Sequence, residues 1–271
     1  MARRRLLPSL VLLLIASLLG ACAHTQWPTD EPWGGGVKIL PKKQNLKKAL
    51  LSATFDPFFY VPLVASALLA IDDWDETVSN WAVEETPIFR SNSNAERASD
   101  IMLNILRAEA AATFLFTPSG ELFSREWFAN KAKGGLVELT AYAINGGTTV
   151  LLKSTVGRER PDGSDTRSFT SGHASESSSA MTLANRNLDA IPMNRQLRTG
   201  VKVANVLLSS GTAWARVEAK KHFPTDVLVG AAMGRFFTVF IHDAWLLPDD
   251  TFYVDFTLGR NVFGMAMSWR F

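Results

Sequence analysis

The chain is poor in cysteine and histidine, and it has no excess of charge. It contains one cysteine, Cys22, and four histidines among 271 residues. A single cysteine excludes a disulfide bond within the chain. Without residues 1–21, 25 basic residues stand against 26 acidic ones. This balance argues against nucleic acid as a partner, because a nucleic-acid-binding surface needs a marked excess of basic residues.

Long uninterrupted apolar runs are missing beyond the N-terminus. Residues 57–71 are apolar and uncharged, but a membrane span needs about 20 such residues. Glu138 and Lys153 bracket a later run, and Asp226 and Arg235 interrupt another. The sequence therefore predicts a mainly α-helical bundle with its helices buried against one another, in preference to a set of membrane spans.

Residues 1–21 have the pattern of an export signal. Three arginines precede an apolar run, Leu10–Leu19, and small residues follow it. The sequence Leu19-Gly20-Ala21-Cys22 resembles a bacterial lipobox, in which the cysteine becomes the lipidated first residue. An ordinary signal peptide with an incidental cysteine, or a short signal anchor, is the alternative. We predict a lipoprotein signal peptide at 1–21 and a lipid anchor at Cys22. The protein would then face the periplasm of a bacterial envelope, with the outer membrane favoured by Ala23.

Composition divides the remainder into three parts. Residues 22–50 are rich in proline and glycine, which predicts a tether; its lysine cluster either contacts anionic headgroups or begins a solvated helix. Residues 51–250 form the predicted helical domain. Residues 251–271 alternate apolar with small or polar residues around a turn at Gly259–Asn261, which predicts a short C-terminal β-hairpin. Two strands cannot close a barrel, so we expect the hairpin to pack on the bundle or to form an interfacial patch.

Capping and breaking residues locate several helices of this domain. Ser91–Asn94 predicts the start of a long helix that ends near Phe116. The next helix is expected from about Phe123 to Arg158, with a weak point at Gly134-Gly135 and close packing at Gly146-Gly147. Later helices are expected to begin at His173, to run from about Gln196 to Arg216, and to start near Pro224.

Three clusters of polar residues lie between Lys153 and Asp226. They are Lys153 with Arg160-Pro161, Thr170-Ser171-Gly172-His173, and Arg216 with His222 and Asp226. Lysine and arginine side chains suit the oxygens of a phosphoryl group. Backbone N–H groups at the start of a helix suit an anion. A histidine four residues before an aspartate can act as a nucleophile or base that the carboxylate orients. The clusters therefore indicate phosphoryl transfer without a metal ion.

The spacing of these clusters resembles the type-2 phosphatidic acid phosphatase superfamily. Its signature is Lys-x6-Arg-Pro, then Pro-Ser-Gly-His, then Ser-Arg-x5-His-x3-Asp. Six residues separate Lys153 from Arg160, which places both on one face of a helix that Pro161 would end. All six charged or imidazole positions match in order, over about a quarter of the chain. Thr170 replaces the usual proline, and Ala215 replaces a serine whose hydroxyl could touch phosphate.

The resemblance implies a helical bundle of the phosphatidic acid phosphatase and haloperoxidase type, a metal-independent reaction and no cofactor. His222 would attack phosphorus, Asp226 would accept the other ring N–H of His222, and His173 would protonate the leaving oxygen. The phosphate oxygens would be held by Lys153, Arg160, Ser171, Gly172 and Arg216. The expected substrate is a phosphorylated membrane lipid or a small phosphate ester. A vanadium haloperoxidase and a non-catalytic lipoprotein that binds phosphate are the alternatives, and the oligomeric state is not predicted.

Four other polar features have simpler interpretations. The acidic residues Asp72–Asp75 are expected to be caps and surface charge rather than a metal site. Glu176 is expected to cap the first turn of the helix that begins at His173, with tuning of His173 as the alternative. His242 and Asp243 are expected to form a structural or surface pair. The loop 162–167 is either a lid over the site or a plain solvated connection.

Overall fold

The computed structural model describes residues 31–71, 74–84 and 88–247, and the backbone of residues 253–259 and 262–268. The described helices are α1 (Lys43–Thr54), α2 (Pro57–Leu69), α3 (Trp74–Glu84), α4 (Asn92–Phe116), α5 (Arg125–Val156), α6 (Gly172–Ala190), α7 (Arg195–Glu218) and α8 (Pro224–Leu246). Strands β1 (Tyr253–Gly259) and β2 (Val262–Ser268) pair antiparallel. The predicted mainly helical architecture is confirmed, and the place of the C-terminal hairpin in it stays a prediction. The predicted signal peptide and Cys22 lie outside the described residues.

Helix α4 begins where its capping residue predicts. The hydroxyl of Ser91 accepts a hydrogen bond from the backbone N–H of Asn94 at 3.2 Å, which satisfies one of the donors that a helix start leaves unpaired. Helix α8 likewise begins with Pro224 in its first turn, where the fixed φ of proline suits a helix and its missing N–H costs nothing. The predicted starts of both helices are confirmed.

Helix α5 differs from its prediction in three ways. It runs without interruption from Arg125 to Val156, so the weak point expected at Gly134-Gly135 is wrong. A Cβ at Gly146 or Gly147 would meet nothing within 4 Å, so the close packing expected there is wrong as well. Gly157, with a left-handed φ of 61°, ends the helix before Pro161 is reached. Arg160 therefore lies in the following loop and shares no helical face with Lys153.

Helices α6 and α8 form the centre of the bundle, and neither helix has an exposed residue. Two glycines of α8 allow the backbones of α6 and α8 to approach closely. A Cβ at Gly234 would lie 2.1 Å from the carbonyl oxygen of Ser175, and one at Gly230 would lie 2.6 Å from that of Ser171. Because neither distance leaves room for a side chain, glycine at these positions fixes how closely the start of α6 approaches α8.

The segment before α1 packs on the bundle. Trp33 is fully buried, and its backbone N–H donates to the carbonyl of Pro118 at 2.7 Å. The Trp33 ring lies against Gly134, where a Cβ would be 2.1 Å from a ring carbon. Helix α1 then begins at Lys43. The predicted tether of 22–50 is therefore too long, because its later residues are helical or buried.

Helices α5 and α7 bury several polar side chains and expose several large apolar ones. The buried residues of α7 include Arg198, Lys202, Asn205, Ser209 and Thr212. Leu197 and Leu207 of the same helix are exposed. In the stretch of α5 from Leu136 to Leu151 there is one charged residue, Glu138, and it is buried. The leucines at both ends of this stretch are exposed. A bundle that faces water on all sides normally has the opposite distribution.

Composition alone selects one candidate membrane span in the part of the chain that the structure describes. Helix α8 is long and apolar enough, but 56% of its apolar window is buried inside the protein. Helices α1 and α2 pass the same test only together, as a pair bent by 46°. A core helix and a spanning helix can share this composition, so the exposed faces of the other helices are the more informative feature.

Candidate active site

The loop 157–171, between α5 and α6, brings the predicted polar clusters together. At the end of α5, the ammonium group of Lys153 donates to the carbonyl oxygen of Arg167 at 2.6 Å. At the other end of the loop, the N–H of Ser171 donates to the carbonyl oxygen of Asp226 at 3.0 Å. The last turn of α5 and the first turns of α6 and α8 are therefore fastened to one connection.

The imidazole of His222 is fixed by a backbone carbonyl of this loop. Its Nδ1 lies 2.7 Å from the carbonyl oxygen of Ser168. A carbonyl oxygen only accepts hydrogen bonds, so Nδ1 carries the ring proton and Nε2 keeps its lone pair. Burial lowers the pKa of His222 well below its ordinary value of 6.5, and the charges of Lys153, Arg216 and Arg160 lower it further. His222 is therefore neutral near pH 7, which is the state that a nucleophile requires.

Asp226 acts on His222 through the loop rather than directly. The carboxylate is fully buried and lies 3.9 Å from Nδ1 of His222, beyond hydrogen-bonding distance. It accepts instead from the hydroxyl of Ser168 at 2.5 Å and from the N–H of Phe223 at 2.9 Å. Burial raises the pKa of Asp226, and the hydrogen bond from Ser168 opposes that rise. The direct hydrogen bond predicted from His222 to Asp226 is wrong, because the Ser168 carbonyl occupies that position.

Asp226 is supported by Arg158 and Asp75, neither of which was predicted to belong to the site. The guanidinium of Arg158 donates to Asp226 at 2.9 Å and to Asp75 at 2.7 Å. Asp75 also accepts from the backbone N–H of Thr225 at 2.9 Å. Asp75 is buried, so its interpretation as surface charge is wrong. No local pattern reveals these partners, because Arg158 is 68 and 83 positions away from them in the chain.

The three predicted cations surround His222 electrostatically. Burial, followed by the charge of Arg160, lowers the pKa of Lys153 to about 8. Arg160 is oriented by Asp165, which accepts from its Nε at 2.7 Å. Arg216 is buried, and its Nη1 lies 3.3 Å from the hydroxyl of Ser99.

Arg216 keeps a donor for a ligand. Its Nε is buried and has no hydrogen-bond partner among the described residues. A buried donor without an acceptor is unfavourable, and a bound anion would satisfy it.

Ser171 has a different role from the one predicted. Its hydroxyl accepts from the N–H of Ala174 at 3.4 Å, so Ser171 caps α6, and its own N–H is committed to Asp226. The prediction that this N–H faces an anion is therefore wrong. The following residues, Gly172 and His173, start α6, and the first N–H groups of a helix have no acceptor within the helix. They are the backbone donors that remain suited to an anion.

His173 pairs with a carboxylate from another helix. Its Nε2 lies 2.7 Å from Oδ1 of Asp100, a residue of α4 that the sequence analysis did not select. The pKa of His173 lies below its ordinary value, because burial and the charge of Arg216 lower it by more than Asp100 raises it. Glu176, three residues further along α6, accepts from the hydroxyl of Tyr142 at 3.2 Å and pairs with an arginine of α4. Its predicted capping role is therefore wrong.

The remaining polar features lie outside the cluster around His222. Asp162 pairs with Lys221 at 3.0 Å, which fastens one end of the loop 162–167 to the turn after α7. His242 and Asp243 are both buried, with 3.4 Å between them, so the structural interpretation of this pair is confirmed. No group of three or more histidine, cysteine, aspartate or glutamate side chains within the described ranges is placed to hold a metal ion.

Comparison with known proteins agrees with this fold and motif set. Residues 135–246 match the family model described as PAP2 superfamily. The superfamily predicted from the motifs is therefore confirmed. The match includes every predicted catalytic and phosphate-binding residue, whereas Asp75 and Asp100 precede it. No curated protein sequence matches the chain significantly.

A solved structure shares the fold. It is a transmembrane PAP2 type phosphatidylglycerolphosphate phosphatase from Bacillus subtilis, with a TM-score of 0.52 and 21% sequence identity. The match covers 68% of this chain and 92% of that one. At this identity the likeness establishes the helical fold, and activity has to be argued from the site.

Proposed function

We propose that this protein is a phosphatase that hydrolyses a phosphate monoester or diphosphate through a phosphohistidine at His222, without a metal ion. One observation carries the proposal. The Nδ1 proton of buried His222 is committed to the carbonyl of Ser168, so the lone pair of Nε2 remains for attack on phosphorus. The confirmed superfamily and the fold shared with a lipid phosphatase support the same reaction class.

In the first step, Nε2 of His222 forms a bond to phosphorus while the bond to the leaving oxygen breaks. Protonated His173 gives its proton to that oxygen, so the alcohol leaves neutral. Negative charge on the three equatorial oxygens is balanced by Lys153, Arg160 and Arg216, the same cations that lower the pKa of His222. These fixed charges supply the neutralisation that a metal ion supplies elsewhere.

In the second step, water attacks the phosphorus of the phosphohistidine. Neutral His173 accepts a proton from this water as the bond between phosphorus and Nε2 breaks, and inorganic phosphate leaves. The bonding electrons return to Nε2 of His222. Asp226 contributes by holding the hydroxyl of Ser168, whose carbonyl keeps the ring in the reactive tautomer throughout.

We propose a phosphorylated membrane lipid as the substrate. The activity of the Bacillus subtilis protein makes phosphatidylglycerol phosphate the first compound to test. The exposed apolar faces of the outer helices provide a second, independent argument, since they would keep the site near lipid.

We also propose that the helical bundle contacts lipid directly. This contact would add to a lipid anchor at Cys22, which would hold the protein on a membrane with the site facing the periplasm. In α5 and α7 several polar side chains, Glu138 and Asn205 among them, are buried, while leucines such as Leu207 are exposed. Contact with hydrocarbon makes such faces favourable, whereas contact with water does not. The outer membrane remains our proposal for the location, on the sequence around Cys22 alone.

Alkaline extraction of membranes tests the lipid contact. A Cys22→Ser variant loses the anchor, and we expect it to stay in the membrane fraction. Adding lysines at Leu136, Leu139 and Leu207, which are all exposed, should release it. Release of folded Cys22→Ser protein without these lysines would contradict the lipid contact, and unaltered incorporation of labelled fatty acid into Cys22→Ser would contradict the anchor.

Phosphate release tests the reaction and the substrate together. Purified protein would be assayed side by side on phosphatidylglycerol phosphate, phosphatidic acid, an isoprenyl diphosphate, lipid A and a water-soluble phosphomonoester. We expect turnover of at least one lipid substrate, inhibition by vanadate and loss of turnover in His222→Ala. The matched control is His242→Ala, because His242 lies outside the site. Equal turnover by His222→Ala and wild type would contradict the proposal, as would vanadate-dependent bromide oxidation without ester hydrolysis.

A further inference from the structure

The side chain of Asp100 makes one hydrogen bond among the described residues, to the ring of His173. Oδ1 lies 2.7 Å from Nε2, and the contact joins residues 73 positions apart. Asp100 is in the third turn of α4, outside the segment 135–246 that matches the superfamily model. The superfamily signature therefore does not include it, and its position follows from how α4 packs on α6 and α7.

The contact assigns the two ring nitrogens of His173. A carboxylate accepts hydrogen bonds, so Nε2 carries a proton that points to Asp100, and proton transfer to or from a substrate falls to Nδ1. The same division of labour, with a carboxylate on one nitrogen and the reacting proton on the other, operates in hydrolytic triads.

The charges around His173 make this carboxylate important. Arg216 of α7 and burial favour the neutral ring, whereas Asp100 of α4 and Glu176 of α6 favour the protonated ring. The charge of Glu176 is shared with its partners, Arg107 of α4 and Tyr142 of α5. From α8, Asp226 is committed to Arg158 and Ser168. Asp100 is thus the carboxylate in direct contact with the ring.

Packing does not explain the contact. The side chain of Asp100 is 54% exposed and that of His173 is 32% exposed. An ion pair this open to water contributes little to folding. A carboxylate held at hydrogen-bonding distance from a half-buried imidazole has instead a clear effect on the proton affinity and orientation of that imidazole.

We propose that Asp100 is a positioning residue that favours the protonated form of His173 and directs its Nδ1 at the leaving oxygen. The inference rests on the proposed phosphatase function and adds a residue to it. As the ester bond breaks, Nδ1 gives its proton to the leaving oxygen, and Asp100 retains the Nε2 proton in its hydrogen bond. When water attacks in the second step, Nδ1 takes a proton back, and Asp100 stabilises the imidazolium that forms.

The test is Asp100→Asn, which preserves shape and removes the charge. With four histidines in the chain, the ring of His173 can be followed by NMR in histidine-labelled protein and assigned with His173→Gln. We expect the pKa of His173 to fall by about one unit in Asp100→Asn, since a close opposite charge shifts a pKa by about one to three units. Glu96→Gln, one turn earlier on α4, should shift it less.

Turnover provides a readout that a purely structural role would not change. Asp100→Asn should move the alkaline limb of kcat/KM to lower pH. It should slow hydrolysis of an alkyl phosphate on the order of 10-fold, a part of the 10²–10⁴-fold that general acids supply. An aryl phosphate with a good leaving group needs less proton donation and should lose much less. In protein that already carries His173→Ala, the Asp100→Asn substitution should lower kcat/KM little further.

The results separate two failures. An unchanged His173 pKa in folded Asp100→Asn, or an equal and additive loss on both esters, would overturn the role of Asp100 and leave the phosphatase proposal standing. Absence of phosphate release by the wild type would overturn the phosphatase proposal. The NMR titration would still show whether Asp100 controls the proton affinity of His173. Restoration of the pKa by Asp100→Glu would support the carboxylate as its cause.

Discussion

The Nδ1 of His222 is 2.7 Å from the backbone carbonyl oxygen of Ser168, and the hydroxyl of Ser168 is 2.5 Å from the carboxylate of Asp226. One serine therefore connects the proposed nucleophile to the buried acid, with its main chain on one side and its side chain on the other. Asp226 in turn is bound by Arg158, and Arg158 by Asp75. The orientation of His222 depends on this chain of contacts, not on a single carboxylate.

Asp226→Asn should lower kcat by less than the same substitution does in a catalytic triad whose acid binds the histidine directly. The Ser168 carbonyl still sets the tautomer of His222, so we expect kcat to fall on the order of 10²-fold, against about 10⁴-fold where the acid itself sets the tautomer. Ser168→Ala keeps the carbonyl and should cost no more than about 10-fold, the worth of one hydrogen bond. A loss of about 10⁴-fold in folded Asp226→Asn would indicate a direct bond to His222 during turnover.

Arg158→Gln should weaken both folding and turnover. The variant leaves Asp75 and Asp226 without their shared cation, and breaking such a largely buried pair costs on the order of 2–3 kcal/mol of unfolding free energy. Chemical denaturation followed by circular dichroism measures the change. Arg167→Gln is the matched control, because that side chain is exposed, and its stability should stay near that of the wild type. Equal stability of the two variants would show that Arg158 does not hold the site together.

The affinity for a phosphate-like anion should fall as the pH rises through about 8. Lys153 has its pKa lowered to about 8 by burial and by Arg160, so above that pH it loses the proton that gives it charge. Vanadate binding by wild type and Lys153→Arg would be compared at each pH, which cancels the titration of vanadate itself. The vanadate affinity of Lys153→Arg, divided by that of the wild type, should increase at alkaline pH. A ratio that is constant from pH 6 to pH 10 would contradict the lowered pKa.

Gly234→Ala should disrupt the contact between α6 and α8. The added methyl group would lie 2.1 Å from the carbonyl oxygen of Ser175, and backbone must move to admit it. Overpacking of this kind costs about 1–3 kcal/mol or more. Gly147→Ala, with nothing within 4 Å of the added carbon, should leave stability unchanged or raise it by up to about 1 kcal/mol. Thermal unfolding of both variants decides between these outcomes, and equal melting temperatures would contradict the close approach.

Local chemistry made most of the helices predictable. Ser91 and Pro224 mark helix starts through contacts within one turn, and such contacts are visible in a short stretch of sequence. Helix α5 was harder. Its end is set by the left-handed Gly157, and the proline that looked like the stop lies beyond it. The buried polar residues and exposed leucines of α5 and α7 were also not predicted, because the sequence does not show which side of a helix is buried.

The candidate site was predictable where spacing carries the information. Lys153, Arg160, His173, Arg216, His222 and Asp226 follow a fixed pattern, and the fold brings the loop and helix ends that carry them together. Their supporting partners were not predictable. Arg158 joins Asp75 across 83 positions, and Asp100 joins His173 across 73. Neither pair forms a motif along the chain, so only the packing of α3 and α4 against the other helices reveals them.

Trapping of the covalent intermediate tests the central proposal most directly. A phosphate ester with a good leaving group would be mixed with the His173→Ala variant. In this variant His222 should still attack the ester, but the phosphohistidine that forms should be hydrolysed slowly. After rapid quenching at alkaline pH, mass spectrometry of the peptide that contains residue 222 should show one phosphoryl group on His222. The group should be absent from a variant that also carries His222→Ala. Hydrolysis by wild-type protein with no phosphorylated His222 in either protein would contradict the account.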